Sequence, residues 1–138
     1  MPQENVTLAY RALDAFNRRD VDAFLALMDD DVEAEPLNVA MEGGLHGQDG
    51  MRRWWENVLG VFPDWNGEVV EVRDLGDLTV GALHLRAHGA DSDVPLDQTI
   101  WMAARWRRGK CVWWRTFNSR DEALEAVGLS EQDAHADS

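Results

Sequence analysis

The stretch DDDVEAEPLNVAMEGGLHG, residues 29–47, sets Glu33 and Glu35 at alternate positions of a short extended run that ends at Pro36. If that run is a half-buried strand, at least one of the two carboxylates points where burial raises its pKa toward working pH, the condition a general base needs. His46, close by in the LHG triplet, is a second acid–base candidate, its reference pKa being about 6.5; before a helix, a histidine also simply bonds backbone groups. A third group comes from the far end of the chain. Phased from its turn, the last hairpin places Arg115 on an otherwise apolar face, where a guanidinium needs a carboxylate and Glu35 or Glu33 is the candidate. Such a pair reads in two ways: arginine holding an oxyanion while a glutamate moves a proton, or a salt bridge closing one end of the fold.

Other chemistry is poorly represented. His84 and His88 stand four apart on a strand, about 13 Å, too far to share one ion, so no metal is expected. Cys111 is the single cysteine, without zinc-type spacing or a visible histidine partner, and reads as a small buried residue. Glycine-rich phosphate loops and a G-x-S-x-G elbow are absent, and no cofactor is expected.

The elements that must carry these residues follow from periodicity. Val6, Ala9, Tyr10, Leu13 and Phe16 recur at helical spacing from Glu4 to Arg19, and Asp20 is placed to cap a short second helix through Val21, Phe24, Leu25 and Met28. The acidic triplet Asp29 to Asp31 is expected to end it, before a short strand over Val32 to Leu37. Met51, Trp54, Trp55, Val58, Leu59 and Phe62 define the clearest helix, stopped by Pro63. From Asn66 the period changes to two, in EVVEVRDL, LTVGALHLRAHG, LDQTIWMAARWRRG and KCVWWRTFNS, a meander of four strands. SRDEALEAVGL then reads as a short helix closed by Gly128.

With Arg108 and Gly109 as a two-residue loop, Trp106 is expected opposite Cys111, Ala104 opposite Trp113, Met102 opposite Arg115 and Ile100 opposite Phe117, with Gln98 continuing that face. Gly81, Leu83 and Leu85 join it from the preceding strand. The other face then takes His84, Arg86, His88, Asp97, Thr99, Trp101 and Trp114. Two exposed tryptophans on a sheet call for a cover, and the expected one is a second copy in a homodimer through this outer face, the alternative being the C-terminal segment.

The whole chain narrows the choices further. Its 138 residues suit one domain, and seven tryptophans against one tyrosine supply unusual aromatic area. Thirteen Lys and Arg against 26 Asp and Glu give a formal net charge of −13, which repels nucleic acid and anionic membrane alike. No run approaches the ~18 apolar residues of a membrane span and no signal-peptide pattern opens the chain, so the expected compartment is the cytoplasm.

YRALDAFNRRDVDAFLALMDDDVEAEP, LHGQDGMRRWWENVL and RWRRGKCVWWRTFNSRDEALEAVGL, in this order and spacing, resemble the SnoaL-like polyketide cyclase group of the nuclear transport factor 2-like superfamily. The resemblance runs from about Asn5 to Leu129. It implies an α+β fold in which a curved antiparallel sheet wraps around three N-terminal helices as a cone with an internal pocket, often a dimer through the outer face of the sheet. In the resembling ketosteroid isomerases the carboxylate before the proline of the first strand is a general base, a position Glu35 takes here. Ala12 stands where their helical tyrosine donor would be, so ketosteroid isomerase activity proper is not implied.

The resulting expectation is a cone domain over residues 1–129 and a disordered tail over 130–138. Its pocket is expected to be lined by Glu33, Trp54, Leu83, Gln98, Ile100, Met102, Trp106, Trp113 and Phe117, with Glu35, Arg115 and His46 as catalytic candidates. Two functions fit: a cofactor-independent acid–base isomerase or cyclase acting on a small hydrophobic carbonyl compound, or a ligand-binding protein with the same pocket and no turnover.

Overall fold

The structure is a computed structural model that describes residues 3–36, 45–89 and 95–128. Helix α1 (Gln3–Asn17) and helix α2 (Val21–Ala26) meet at a tight corner. Asp20 caps α2, its Oδ1 accepting from Ala23 N at 3.1 Å. Arg19 occupies the left-handed region at φ 62°, and its guanidinium donates to the carbonyls of Phe16, Pro63 and Trp65. Asn17 adds a reciprocal pair of bonds with the backbone of Gly67. These contacts lock the end of α1 to the start of the meander.

The second helix is shorter than its periodicity suggests, because Met28 and the acidic triplet belong to strand β1 (Met28–Glu35). A two-residue strand β2 (Leu45–His46) leads into helix α3 (Gly47–Val61), whose Gln48 side chain donates to the carbonyls of Leu25 and Met28. Strands β3 (Asn66–Asp74), β4 (Leu78–His88), β5 (Pro95–Arg107) and β6 (Lys110–Phe117) form the expected meander. The sheet is six-stranded and curved, in the order β2-β1-β6-β5-β4-β3. All neighbours are antiparallel except β1 and β6, which run parallel.

The β5–β6 turn is the tight one anticipated, with positive φ at both Arg108 (54°) and Gly109 (79°). The expected β4–β5 register is also found, pairing Leu83 with Ile100 and Arg86 with Asp97. Beyond Trp106 and Cys111, however, Arg105 pairs with Trp113, so Val112 is an extra residue and the rest of β6 is displaced by one. Ala104 therefore faces Trp114, Met102 faces Thr116 and Trp101 faces Phe117.

The main core lies between the concave face and helices α1 to α3, centred on Phe16. That ring meets Trp65 at 4.4 Å, Trp55 at 4.5 Å, Trp54 at 5.2 Å and Phe24 at 6.0 Å between centroids. A second cluster forms on the convex face. Helix α4 (Arg120–Ala126), capped by Ser119, buries Ala123 and Leu124 against Val80, Ala103 and Phe117, with Trp101 and Trp113 packed alongside. The C-terminal segment thus packs with the convex tryptophans, which the bulge makes Trp101 and Trp113, not Trp114. Residues 130–138 and Leu37 lie outside the described residues. Among the described residues no helix is long and apolar enough to cross a membrane.

Candidate functional site

Three helices on one side and the concave sheet on the other leave a cavity of about 240 Å³. Helix α1 supplies Ala9, Ala12, Leu13 and Phe16, and α3 supplies Trp54, Asn57, Val58 and Val61. Period-two alternation on the strands supplies the rest: Thr79, Gly81, Leu83 and Leu85 from β4, Ile100, Met102, Ala104 and Trp106 from β5, and Cys111, Trp114 and Thr116 from β6. Phe24, Met28, Pro36, Phe62, Trp65, Val69, Val72 and Leu96 complete the wall.

The wall carries no carboxylate, imidazole, ammonium or guanidinium among the described residues. Its polar groups are few. Trp106 donates its indole N–H to Thr79 Oγ1 at 2.9 Å, within the wall. Burial pushes the Cys111 thiol up to about 12, and its S–H donates to the Trp113 carbonyl at 3.3 Å, so at neutral pH it is an uncharged S–H.

Of the residues anticipated from sequence, Trp54, Leu83, Ile100, Met102 and Trp106 line this cavity. Gln98 pairs with Leu85 but is not part of the wall. Trp113 and Phe117 are turned to the convex side by the extra residue at Val112, and Arg115 goes with them. Val32 and Ala34 take the buried side of β1, which leaves Glu33 and Glu35 exposed. Arg115 and Glu35 do lie together, Nε to Oε2 at 3.8 Å, but with 45% and 52% of their side chains exposed. The Arg115 guanidinium also stacks 5.0 Å over the Phe117 ring. His46 is the N-cap residue of α3 without a side-chain cap bond; its ring is 67% exposed and 3.9 Å from Asp31 Oδ1. The glutamates, Arg115 and His46 therefore stand outside the cavity, and the dry carboxylate anticipated at Glu35 is not formed.

What sequence reading missed is Trp114, Thr116 and Thr79 on the sheet and Phe16, Phe24 and Trp65 opposite them. The helical stripe of α1 and α2 contained the signal for the two phenylalanines. Nothing in KCVWWRTF reveals which tryptophan turns inward once a bulge intervenes.

On the rim of the convex face the polar groups pair off. His84 Nε2 meets Asp97 Oδ1, and Asp64 accepts from both His88 N at 2.7 Å and the His88 ring at 2.9 Å. These bonds hold both carboxyls below the usual range, chiefly the His88 backbone N–H for Asp64 and the His84 side chain for Asp97. Among the described residues no three His, Cys, Asp or Glu side chains converge as a metal site.

A curved sheet closed by helices over an apolar cavity defines the α+β cone class. The chain belongs to the SnoaL-like domain family, whose model matches residues 9–117. IdmH from Streptomyces antibioticus, proposed to be a polyketide cyclase, superposes with a TM-score of 0.73 at 20% identity, over 90% of this chain and 98% of that one. A proposed SnoaL-like polyketide cyclase from Jannaschia sp. CCS1 gives 0.75 at 18% identity, over 91% and 89%. A protein of ketosteroid isomerase-like fold from Catenulispora acidiphila DSM 44928, in complex with trimethylamine, gives 0.72 at 14%, over 88% and 92%. At these identities the likeness is one of fold. Comparison with curated proteins finds no match.

Proposed function

We propose that this protein binds a small, uncharged, apolar and preferably aromatic molecule in the cavity between its helices and its concave sheet. One observation carries the reading: a concave, pre-formed cavity of about 240 Å³ is walled mainly by aromatic and aliphatic side chains, with Asn57, Thr79 and Thr116 as neutral polar members and no charged group among the described residues. A charged ligand would lose its hydration there without gaining a counter-ion. The volume lies just below the ~300–1,000 Å³ of drug-sized sites, which favours two or three fused rings over a larger skeleton. The proposed polyketide cyclase role of the IdmH and Jannaschia relatives is compatible with an apolar ring system as ligand. Binding is favoured over proton transfer by Glu35, because that carboxylate is half exposed and paired on the outer side.

The test compares N-phenyl-1-naphthylamine with its sulfonated analogue 8-anilinonaphthalene-1-sulfonate, titrated at high ionic strength to screen the net charge of −13. The neutral dye should bind saturably at one site per chain, and the sulfonate at least about tenfold more weakly. Equal binding of the two, or no saturable binding of the neutral dye, would contradict the proposal.

A further inference from the structure

The cavity wall is not equally remote from solvent. Among its described residues only Asn57 and Val61, both on α3, are exposed, Val61 to 56%. A side chain that bounds the cavity and also meets bulk water marks where the two join, so the mouth lies along the C-terminal half of α3. Asn57 stands three residues after Trp54 and four before Val61, which also line the cavity, so it belongs to the cavity-facing stripe of the helix. Helical periodicity ordinarily fills such a stripe with apolar residues, and the other α3 members of this wall, Trp54, Val58 and Val61, are apolar. The Asn57 amide, unlike the Trp106 indole, has no hydrogen-bond partner among the described residues. It is accessible, uncharged and able both to donate and to accept.

We infer that Asn57 determines which ligand is taken and how it lies: the guest is an aromatic compound with a neutral hydroxyl at one end, its rings in the cavity and its hydroxyl at the mouth against the Asn57 amide. The inference rests on the apolar-ligand reading given above and narrows it. A hydroxyl donates one O–H and accepts in turn, matching Oδ1 and Nδ2 of an amide, and at the mouth water serves whatever the amide leaves over. Placed away from the mouth, the same hydroxyl would lose its hydration to a wall whose own hydroxyl residues, Thr79 and Thr116, are 4% and 6% exposed. Thr79 Oγ1 already accepts from Trp106. An ionised end group finds no counter-ion in the wall at the mouth either, since neither Asn57 nor Val61 is charged.

The experiment uses 2-naphthol and 2-methylnaphthalene, which differ by a hydroxyl in place of a methyl group and are both uncharged at neutral pH. Each competes with N-phenyl-1-naphthylamine on the wild-type protein, on Asn57→Ala and on Glu56→Ala, the last an exposed position one residue off the cavity stripe. The ratio of naphthol to methylnaphthalene affinity should fall about threefold in N57A, toward the lower part of what one neutral hydrogen bond supplies because water competes at the mouth. In E56A the ratio should keep its wild-type value. Methylnaphthalene should bind N57A as it binds the wild type, which also reports that the variant is folded. An unchanged ratio in N57A, or an equal fall in E56A, would overturn the assignment to Asn57 while leaving the cavity's role intact. If neither compound displaces the dye, the apolar-ligand reading fails and this inference fails with it.

Discussion

The two faces of one sheet solve different problems with the same strands. On the concave side β4, β5 and β6 present Leu83, Ile100, Met102, Ala104, Trp106 and Trp114 to a cavity without charge among the described residues. On the convex side the alternate residues of those strands form Arg105–Asp77 at 2.9 Å, the His84–Asp97 contact and the Arg115–Glu35 pair, beside a small core sealed by α4. Along β4 to β6 the charged side chains thus stand on the convex side, and the concave side is left to the cavity. The difference teaches that the residues with the most familiar chemistry in this sequence are the ones least able to act on a buried ligand.

Phe16→Ala should break the concave side most severely. It deletes the ring around which Phe24, Trp54, Trp55 and Trp65 are arranged, and urea unfolding should show a loss of about 3–5 kcal/mol. Gly81→Ala should be milder. A Cβ there would come within 2.5 Å of the Glu71 carbonyl oxygen, where β3 is bulged, so the backbone has to shift. A cost of about 1–3 kcal/mol is expected, read as a lowered midpoint in thermal unfolding.

The convex side should respond weakly to comparable changes. Glu35→Gln removes one partner of a half-exposed pair at 3.8 Å, and its unfolding free energy should stay within about 0.5 kcal/mol of the wild type. The smallest effect concerns pH. Asp64 and Asp97 titrate below the usual carboxylate range in the folded protein, so their contribution is present above that range and fades as pH falls through their lowered values. Asp97→Asn should slightly flatten the acid limb of a stability-against-pH curve and leave the curve above neutral pH unchanged. A variant that shifted the alkaline limb instead would contradict that sign.

Much of the fold could be read from the residues before any coordinates. Asp20 as a cap, the i, i+3, i+4 stripe of α3, the Arg108–Gly109 turn and the β4–β5 register all express local physics that a single sequence carries. The site was less legible. One inserted residue, Val112, exchanged Trp113 for Trp114 and Arg115 for Thr116 at the cavity, and an insertion of that kind leaves no mark in the alternation of KCVWWRTF. The glutamates were a different matter. In VEAE the apolar Val32 and Ala34 already claim the buried side, so period two by itself turns Glu33 and Glu35 outward, against the analogy with a catalytic carboxylate before Pro36.

The most direct test of the central claim, that function resides in the apolar cavity and not in the Glu35–Arg115 pair, is the affinity of N-phenyl-1-naphthylamine for two variants. Ala104→Phe fills the cavity from the β5 wall, and Glu35→Gln alters only the outer pair. Ala104→Phe, shown to be folded by its near-ultraviolet circular dichroism, should lose saturable dye binding while Glu35→Gln binds as the wild type does. Unchanged binding to Ala104→Phe, or its loss in Glu35→Gln, would contradict that claim.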